Sequence, residues 1–199
     1  MDRSGGFFTL LRKCGRLISK IITLFGNKKV LFKRLMGKGG EVAVTNEEFA
    51  KRVESVRTKL YKTALTYLGS EALAMDAVDE AVYKALCGKW KLRQPEFFDT
   101  WITRILINEC HNELRRQKRY HPLDELPETA SEEFDSLPLK EALRRLPKDL
   151  KDVIILRSFG GYTVAETAQT LHIPAGTVAT RQRKALQLLR LELEEEVSS

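Results

Sequence analysis

From Thr45 to Leu193 apolar residues return every three or four positions, and nowhere do they alternate through a strand-like run closed by turn dipeptides. That spacing lines one side of a helix with apolar side chains, and the missing alternation removes the half-buried strand. The fold class that follows is all-α. Thr45 with Glu48 three residues on has the pattern of a capping box. Phe49, Val53, Val56, Leu60, Ala64, Tyr67 and Leu68 then recur at helical spacing. Gly69-Ser70 ends that helix and starts a second, with Leu73, Ala77, Val78, Ala81, Val82, Ala85 and Leu86 facing inward. Pro95 suits the first turn of a third, which Phe98, Trp101, Ile102, Ile105, Leu106 and Leu114 carry towards Arg119.

These three helices make residues 41–119 one small domain. Residues 120–136 differ in kind. Asp124, Glu125, Glu128, Glu132, Glu133 and Asp135 fall there with Pro122 and Pro127, and no lysine or arginine does. Such a composition describes an acidic, extended linker. A second helical domain occupies residues 137–199, broken at Pro147, at Gly160-Gly161 and at His172-Ile173-Pro174. The expected architecture is two small helical domains, each with a modest core of its own.

The second domain holds the most informative motif. Thr163-Val164-Ala165-Glu166 is another capping box and opens a short helix ending near Leu171; Pro174 then starts a further helix. Two short helices on a tight turn, with small Ala168 where they cross, describe a helix-turn-helix. Ile173 and Val178 would fill the angle between them. The second helix carries Thr177, Thr180, Arg181, Arg183, Lys184 and Arg190, with no acid before Glu192. A cationic helix of that kind suits a DNA major groove. The same spacing also suits a plain αα-corner with a solvated basic side. His172 stands in the turn where glycine would relieve positive-φ strain, and histidine visits that region more often than most residues.

Charge must be divided along the chain before it is used. The 199 residues carry a formal net charge of +7. Residues 1–40 hold ten lysines and arginines and one acid, Asp2, which leaves 24 basic against 26 acidic residues in the remainder. The net basic excess of the whole chain is therefore carried by its first forty residues, while the six acids of residues 120–136 outweigh the small basic surplus of the two helical domains. Cys14, Cys87 and Cys110 are odd in number and far apart, which suits a reducing compartment. With His111, His121 and His172 they show no metal-ligand spacing, so no metal is expected. No carboxylate cluster, nucleophile–base pair or phosphate-binding glycine loop supports an enzyme or calls for a cofactor. No apolar run reaches membrane-spanning length, and no secretory signal is evident.

The stretch ALRRLPKDLKDVIILRSFGGYTVAETAQTLHIPAGTVATRQRKALQLLRLEL, from Ala142, resembles the DNA-binding domain of extracytoplasmic-function sigma factors. LYKTALTYLGS, AMDAVDEAVYKA and FFDTWITRILINECHNELRR resemble the polymerase-binding domain of the same family, at matching spacing and in the family's order. The resemblance implies a subunit that binds core RNA polymerase and reads promoter DNA in the cytoplasm, with an anti-sigma factor as a further partner. It implies that Asp76, Asp79 and Glu80 dock on core polymerase, with Leu73 and Met75 where the family often has acids. Phe98, Trp101, Arg104, Asn108, Arg115 and Arg116 match the segment that opens and reads the minus-ten element. By position, Trp90 and Arg93 fall in the loop that captures a flipped base; Trp101 and Ile105 also lie on the apolar stripe and suit the core. Thr177, Thr180, Arg181, Arg183 and Lys184 match the reader of the minus-thirty-five element, with Ala179 where the family commonly has a basic residue. The acidic linker matches the segment that threads towards the polymerase active-site cleft, as a nucleic-acid mimic or as a bland tether.

Residues 1–40 fall outside that pattern. Phe7, Leu10, Leu11, Cys14, Leu17, Ile18, Ile21, Ile22 and Phe25 share one helical side, with Arg12, Lys13, Arg16 and Lys20 largely opposite. Three readings stand side by side: a basic amphipathic helix for a membrane surface or a partner, a poorly ordered tail, or sequence upstream of the true start near Met36. A stand-alone repressor or activator is the chief rival to the sigma factor, and it leaves the block from Asp76 to Arg116 without a purpose.

Overall fold

The computed structural model describes residues 44–120 and 137–197, so the N-terminal extension and the acidic linker lie outside the described residues. Helix α1 (Asn46–Leu68) is capped by Thr45, whose Oγ1 accepts from the Glu48 amide at 3.2 Å. The box expected there is only half made. The Glu48 carboxylate takes the Arg52 guanidinium at 2.7 Å instead of turning back to the Thr45 amide, because an ionic partner one turn on offers the stronger bond. Gly69, at φ 67°, closes α1 by returning its amide to the Leu65 carbonyl at 2.8 Å. Ser70 caps α2 (Glu71–Gly88), whose inward face is built on Ala74, Ala77, Ala81 and Ala85. These short side chains let α2 lie close against α1 and α3 (Phe98–Tyr120). Two 3-10 turns, Lys89–Lys91 and Pro95–Phe97, join α2 to α3, and Arg52 of α1 donates to the Pro95 carbonyl at 2.6 Å. Phe49 and Phe98 meet edge to face at 5.4 Å in the centre of this bundle.

The second block begins with α4 (Leu137–Arg145) and α5 (Lys148–Ile154). A π-helical turn, Ile155–Phe159, prolongs α5. Then come α6 (Val164–Leu171) and α7 (Ala175–Val197), and among the described residues there is no strand. The second capping box is complete: the Thr163 amide donates to Glu166 Oε2 at 2.6 Å, and the Glu166 amide to Thr163 Oγ1 at 3.2 Å. α6 ends on His172 at φ 55°, the left-handed position expected of the turn. Val178, fully buried, fills the angle between α6 and α7, while Ile173 is only half-buried.

The two blocks also pack against each other along a seam. Val153, Ile154, Ile155 and Leu156 are buried in succession, because the π turn lies between its own bundle and α1. Tyr162, 2% exposed, is hydrogen-bonded to Thr103 of α3 at 2.8 Å and lies under the Lys59 ammonium at 5.3 Å. Tyr67 of α1 donates to Asp152 Oδ1 at 2.7 Å, and His111 Nε2 of α3 reaches the same oxygen at 2.9 Å. Buried residues of the second block, Ile154, Ile155, Leu156 and Tyr162 among them, belong to one continuous core with those of the first.

Gly160 sits at the closest approach. A methyl group there would stand 2.7 Å from the Tyr162 ring and 2.8 Å from Thr63 Oγ1 of α1. Gly160→Ala should therefore cost about 1–3 kcal/mol as overpacking, lowering the melting temperature by about 2–4 °C per kcal/mol. Adding Thr63→Ala should return part of that loss in thermal denaturation. A penalty untouched by Thr63→Ala would assign the clash to the Tyr162 ring alone.

Candidate nucleic-acid and polymerase interface

The basic helix of the helix-turn-helix is the first seven residues of α7 and the turns that follow. Gly176, Ala179, Thr180, Arg183, Lys184 and Gln187 are exposed along one side, while Val178, Ala185 and Leu189 are buried on the other. Thr177 is half-buried. Thr180 Oγ1 donates back to the Gly176 carbonyl at 3.0 Å, which leaves the hydroxyl oxygen with acceptor capacity outward. Arg181 is less free than its place in the sequence implied: its guanidinium holds Asp149 of α5 at 2.8 Å. Arg183 and Lys184 are the more open cations. Gln187, one turn beyond Arg183 on the same side, was not singled out from sequence, because an uncharged residue leaves no mark in a charge pattern.

A second candidate face runs along α3. Trp101, Arg104, Asn108 and Arg115 return at three-, four- and seven-residue steps and so share one side of the helix. Asn108, Arg115 and Arg116 are exposed; Arg115 Nη2 donates to Asn112 Oδ1 at 2.6 Å, and Arg116 pairs with Glu113 at 3.0 Å. Trp101 is half-buried against Phe98, with ring centroids 6.1 Å apart. Phe98 itself is 1% exposed. Phe98 packs into the bundle and backs Trp101. In the loop ahead of α3, Trp90 is 51% exposed with Lys91 over its ring at 5.2 Å, and Arg93 and Phe97 are exposed beside it.

Arg104 has partners that no spacing foretold. Its Nε donates to the Thr170 carbonyl at 2.9 Å and its Nη2 to the Gln169 carbonyl at 2.6 Å. These carbonyls belong to the last turn of α6, where a helix leaves its acceptors unmet and carries partial negative charge. A cation from the first block thus caps the first helix of the helix-turn-helix in the second. Asp152, Tyr67 and His111 complete the same seam. Burial, and then the neighbouring Asp152 carboxylate, hold the Tyr67 phenol well above its ordinary pKa. Burial pushes Tyr162 up to about 12, so both hydroxyls stay protonated as donors.

The acidic face of α2 is narrower than expected. Asp76 and Glu80, one turn apart, are exposed; Glu80 meets Lys84 at 3.2 Å, and Lys84 also meets Glu109 of α3 at 2.5 Å. Asp79 is half-buried, and its Oδ1 has no hydrogen-bond partner among the described residues. Burial raises its pKa, Arg57 opposes the rise, and Asp76 adds to it. Leu73 and Met75 are half-buried. No group of three or more metal-ligating side chains occurs among the described residues, and no described helix is long and apolar enough to cross a membrane.

Comparison with known proteins agrees with this geometry. Residues 52–120 match the model of sigma-70 region 2, and residues 136–189 that of sigma-70 region 4. The chain is 33% identical over 141 residues to the RNA polymerase sigma factor SigV of Bacillus subtilis, covering 68% of this chain and 85% of that one. It is 26% identical over 167 residues to the ECF RNA polymerase sigma factor SigW of the same organism, covering 74% of this chain and 89% of that one. It is 31% identical over 134 residues to the ECF RNA polymerase sigma-E factor of Escherichia coli, covering 57% and 70%. Among solved structures, the sigma factor RpoE in complex with the anti-sigma factor NepR from Bartonella quintana shares the fold at a TM-score of 0.59 and 22% identity, over 74% of this chain and 98% of that one. CnrH in complex with the cytosolic domain of CnrY does so at 0.60 and 20%, over 76% and 90%. The chain belongs to the extracytoplasmic-function sigma factors, non-catalytic subunits that bind core RNA polymerase and direct promoter recognition and the start of transcription.

Proposed function

We propose that this sigma factor reads the minus-thirty-five element with Thr177, Thr180, Arg183 and Lys184, and with Arg181 once it leaves Asp149. The observation that carries the reading is the outward side of α7, where exposed Thr180, Arg183 and Lys184 follow one another with no acid before Glu192. Arg104, Asn108, Arg115 and Arg116 serve the minus-ten element, with Trp101 and Phe98 shaping the face behind them. Opened DNA presents base edges to the asparagine and phosphates to the arginines. Asp76 and Glu80 meet core polymerase, and the inward-leaning Asp79 supports them.

Arg104 cannot serve the α6 carbonyls and DNA at once. The closed packing of the two blocks is therefore the resting form, and polymerase binding draws them apart. Specificity then comes from two weak DNA contacts tied together on one enzyme. One solved neighbour is a sigma factor held by an anti-sigma factor, which supports a protein antagonist for this chain as well. With polymerase and DNA as its partners, the chain works in the cytoplasm.

Arg104→Ala tests the closed form. The variant removes the Arg104 donors from the Thr170 and Gln169 carbonyls, the latter keeping the His172 amide, so small-angle scattering of the free chain should report a larger radius of gyration than the parent. Holoenzyme carrying it should also open the minus-ten region less well on a permanganate footprint. An unchanged radius together with normal opening would remove Arg104 from both roles.

A further inference from the structure

Asp149 is assigned no part in promoter reading, yet its carboxylate reaches the reading side of α7. It stands in the first turn of α5 and accepts a single bond from Arg181, Nη2 to Oδ2 at 2.8 Å. The start of a helix favours a negative charge, so the carboxylate is steadied from both directions. Arg181 lies at the border of the outward side of its helix. Thr177 one turn earlier is half-buried and Ala185 one turn later is buried, while Thr180 is exposed beside it, with Arg183 and Lys184 farther round.

We propose that Asp149 is a positioning residue that acts through Arg181, by standing where a backbone phosphate of the bound duplex would stand. The guanidinium must leave this carboxylate before a phosphate can take it. The chemistry matches, because carboxylate and phosphate oxygens are anionic acceptors for the same N–H groups. The site is open to a rival anion: the side chains of Arg181 and Asp149 are 29% and 64% exposed. The hold is also slight, since Asp149 uses one of the five N–H donors of the guanidinium. The helix itself is anchored chiefly by Val178, Ala185 and Leu189, which are buried.

The consequence is a competition. A duplex that needs Arg181 meets only the fraction of chains in which the pair is broken, and its apparent affinity falls by that fraction. For an exposed pair the loss is about two- to fivefold. Phosphates are the same in every sequence, so the loss falls on promoter and non-promoter duplex alike. Salt screens an exposed pair, and the loss should fade as ionic strength rises. The proposal rests on the reading of α7 as the DNA-facing helix.

Holoenzyme carrying Asp149→Asn is titrated onto a duplex taken from upstream of a start site that the holoenzyme uses. The same duplex with its minus-thirty-five half shuffled serves as the second probe. Asparagine keeps the shape of the side chain and lacks the charge that holds a guanidinium. Affinity for both duplexes should rise about two- to fivefold at low salt, by the same factor, and the gain should vanish at high salt. In an Arg181→Gln background, which keeps the aliphatic stem, Asp149→Asn should change nothing. Circular dichroism checks that the variant melts with the parent; if it melts early, Asp149→Ser takes its place in the same titrations.

Arg183→Ala in these titrations reports on the reading of α7 by itself. If it weakens binding while the Asp149 variant brings no gain, the reading of α7 holds and this proposal falls. If Arg183→Ala has no effect either, both fall together. A gain confined to the unshuffled duplex would give Arg181 a base instead of a phosphate and overturn the proposal. A gain that persists beside Arg181→Gln would assign the effect to the bare charge of Asp149, and the role through Arg181 would be lost.

Discussion

Replacing Asp76 and Glu80 together by lysine should lower the affinity for core RNA polymerase by about 100-fold or more. The two carboxylates are exposed one turn apart on α2, and neither contributes to the core. Their reversal turns a favourable approach to basic groups into like-charge contact, which costs several kcal/mol, and each 1.4 kcal/mol is about tenfold. Glu80 loses its exposed pair with Lys84 in the process, but Lys84 keeps Glu109 at 2.5 Å. Helical content and melting temperature should therefore change little, since exposed substitutions of this kind stay within about 0.5 kcal/mol. Pull-down on immobilised core polymerase, with circular dichroism of the free variant, reads both effects. Full retention of the variant would remove α2 from the docking surface and shift attention to the rest of the first block.

The second large effect belongs to the outward side of α7. Arg183→Ala and Lys184→Ala, each in reconstituted holoenzyme, should weaken promoter binding through the minus-thirty-five element while core binding persists. A lost bidentate base contact is worth about 1–3 kcal/mol, or roughly 5- to 150-fold, and relaxes the preference at one base pair. A lost phosphate contact instead weakens all sequences alike and lowers the salt slope by about 0.9. Titrating holoenzyme onto promoter fragments at several salt concentrations separates the two roles. Arg181→Ala is expected to behave differently. Its guanidinium holds Asp149 at 2.8 Å, so its removal also loosens α7 from α5 and mixes a loss of fold with any loss of contact. Unchanged promoter binding in both the Arg183 and Lys184 variants would contradict the assignment of this helix.

Most of the local structure was legible because helices announce themselves through caps, breakers and periodicity. Gly69, Ser70, Thr163 and His172 stand at helix ends as their side chains and backbone freedom require. The half-made box at Thr45 was not legible, since Arg52 competes for Glu48 and spacing alone does not rank the two partners. Nor was the seam between the blocks. Tyr67, His111, Asp152 and Tyr162 each look ordinary in sequence, and they meet only because the fold places residues 85 and 59 positions apart in contact. Two apparently separate periodic blocks carry no sign that their cores will merge. The candidate site was legible in outline for the same reason that it is basic: charge runs on α3 and α7 survive in one dimension. Which of those charges is free did not survive. Arg104 and Arg181 are engaged, Arg183 and Lys184 are open, and Phe98 and Asp79 turn inward. The net charge of +7 does not report on these faces, because the excess lies in the first forty residues.

The central claim is that this chain gives core polymerase a promoter preference of its own. Run-off transcription by purified core RNA polymerase on a library of genomic fragments, with and without the protein, tests that claim most directly. Discrete new start sites are expected only when the chain is added, and they should vanish with the Asp76→Lys, Glu80→Lys double variant. A transcript pattern identical with and without the chain would contradict the account.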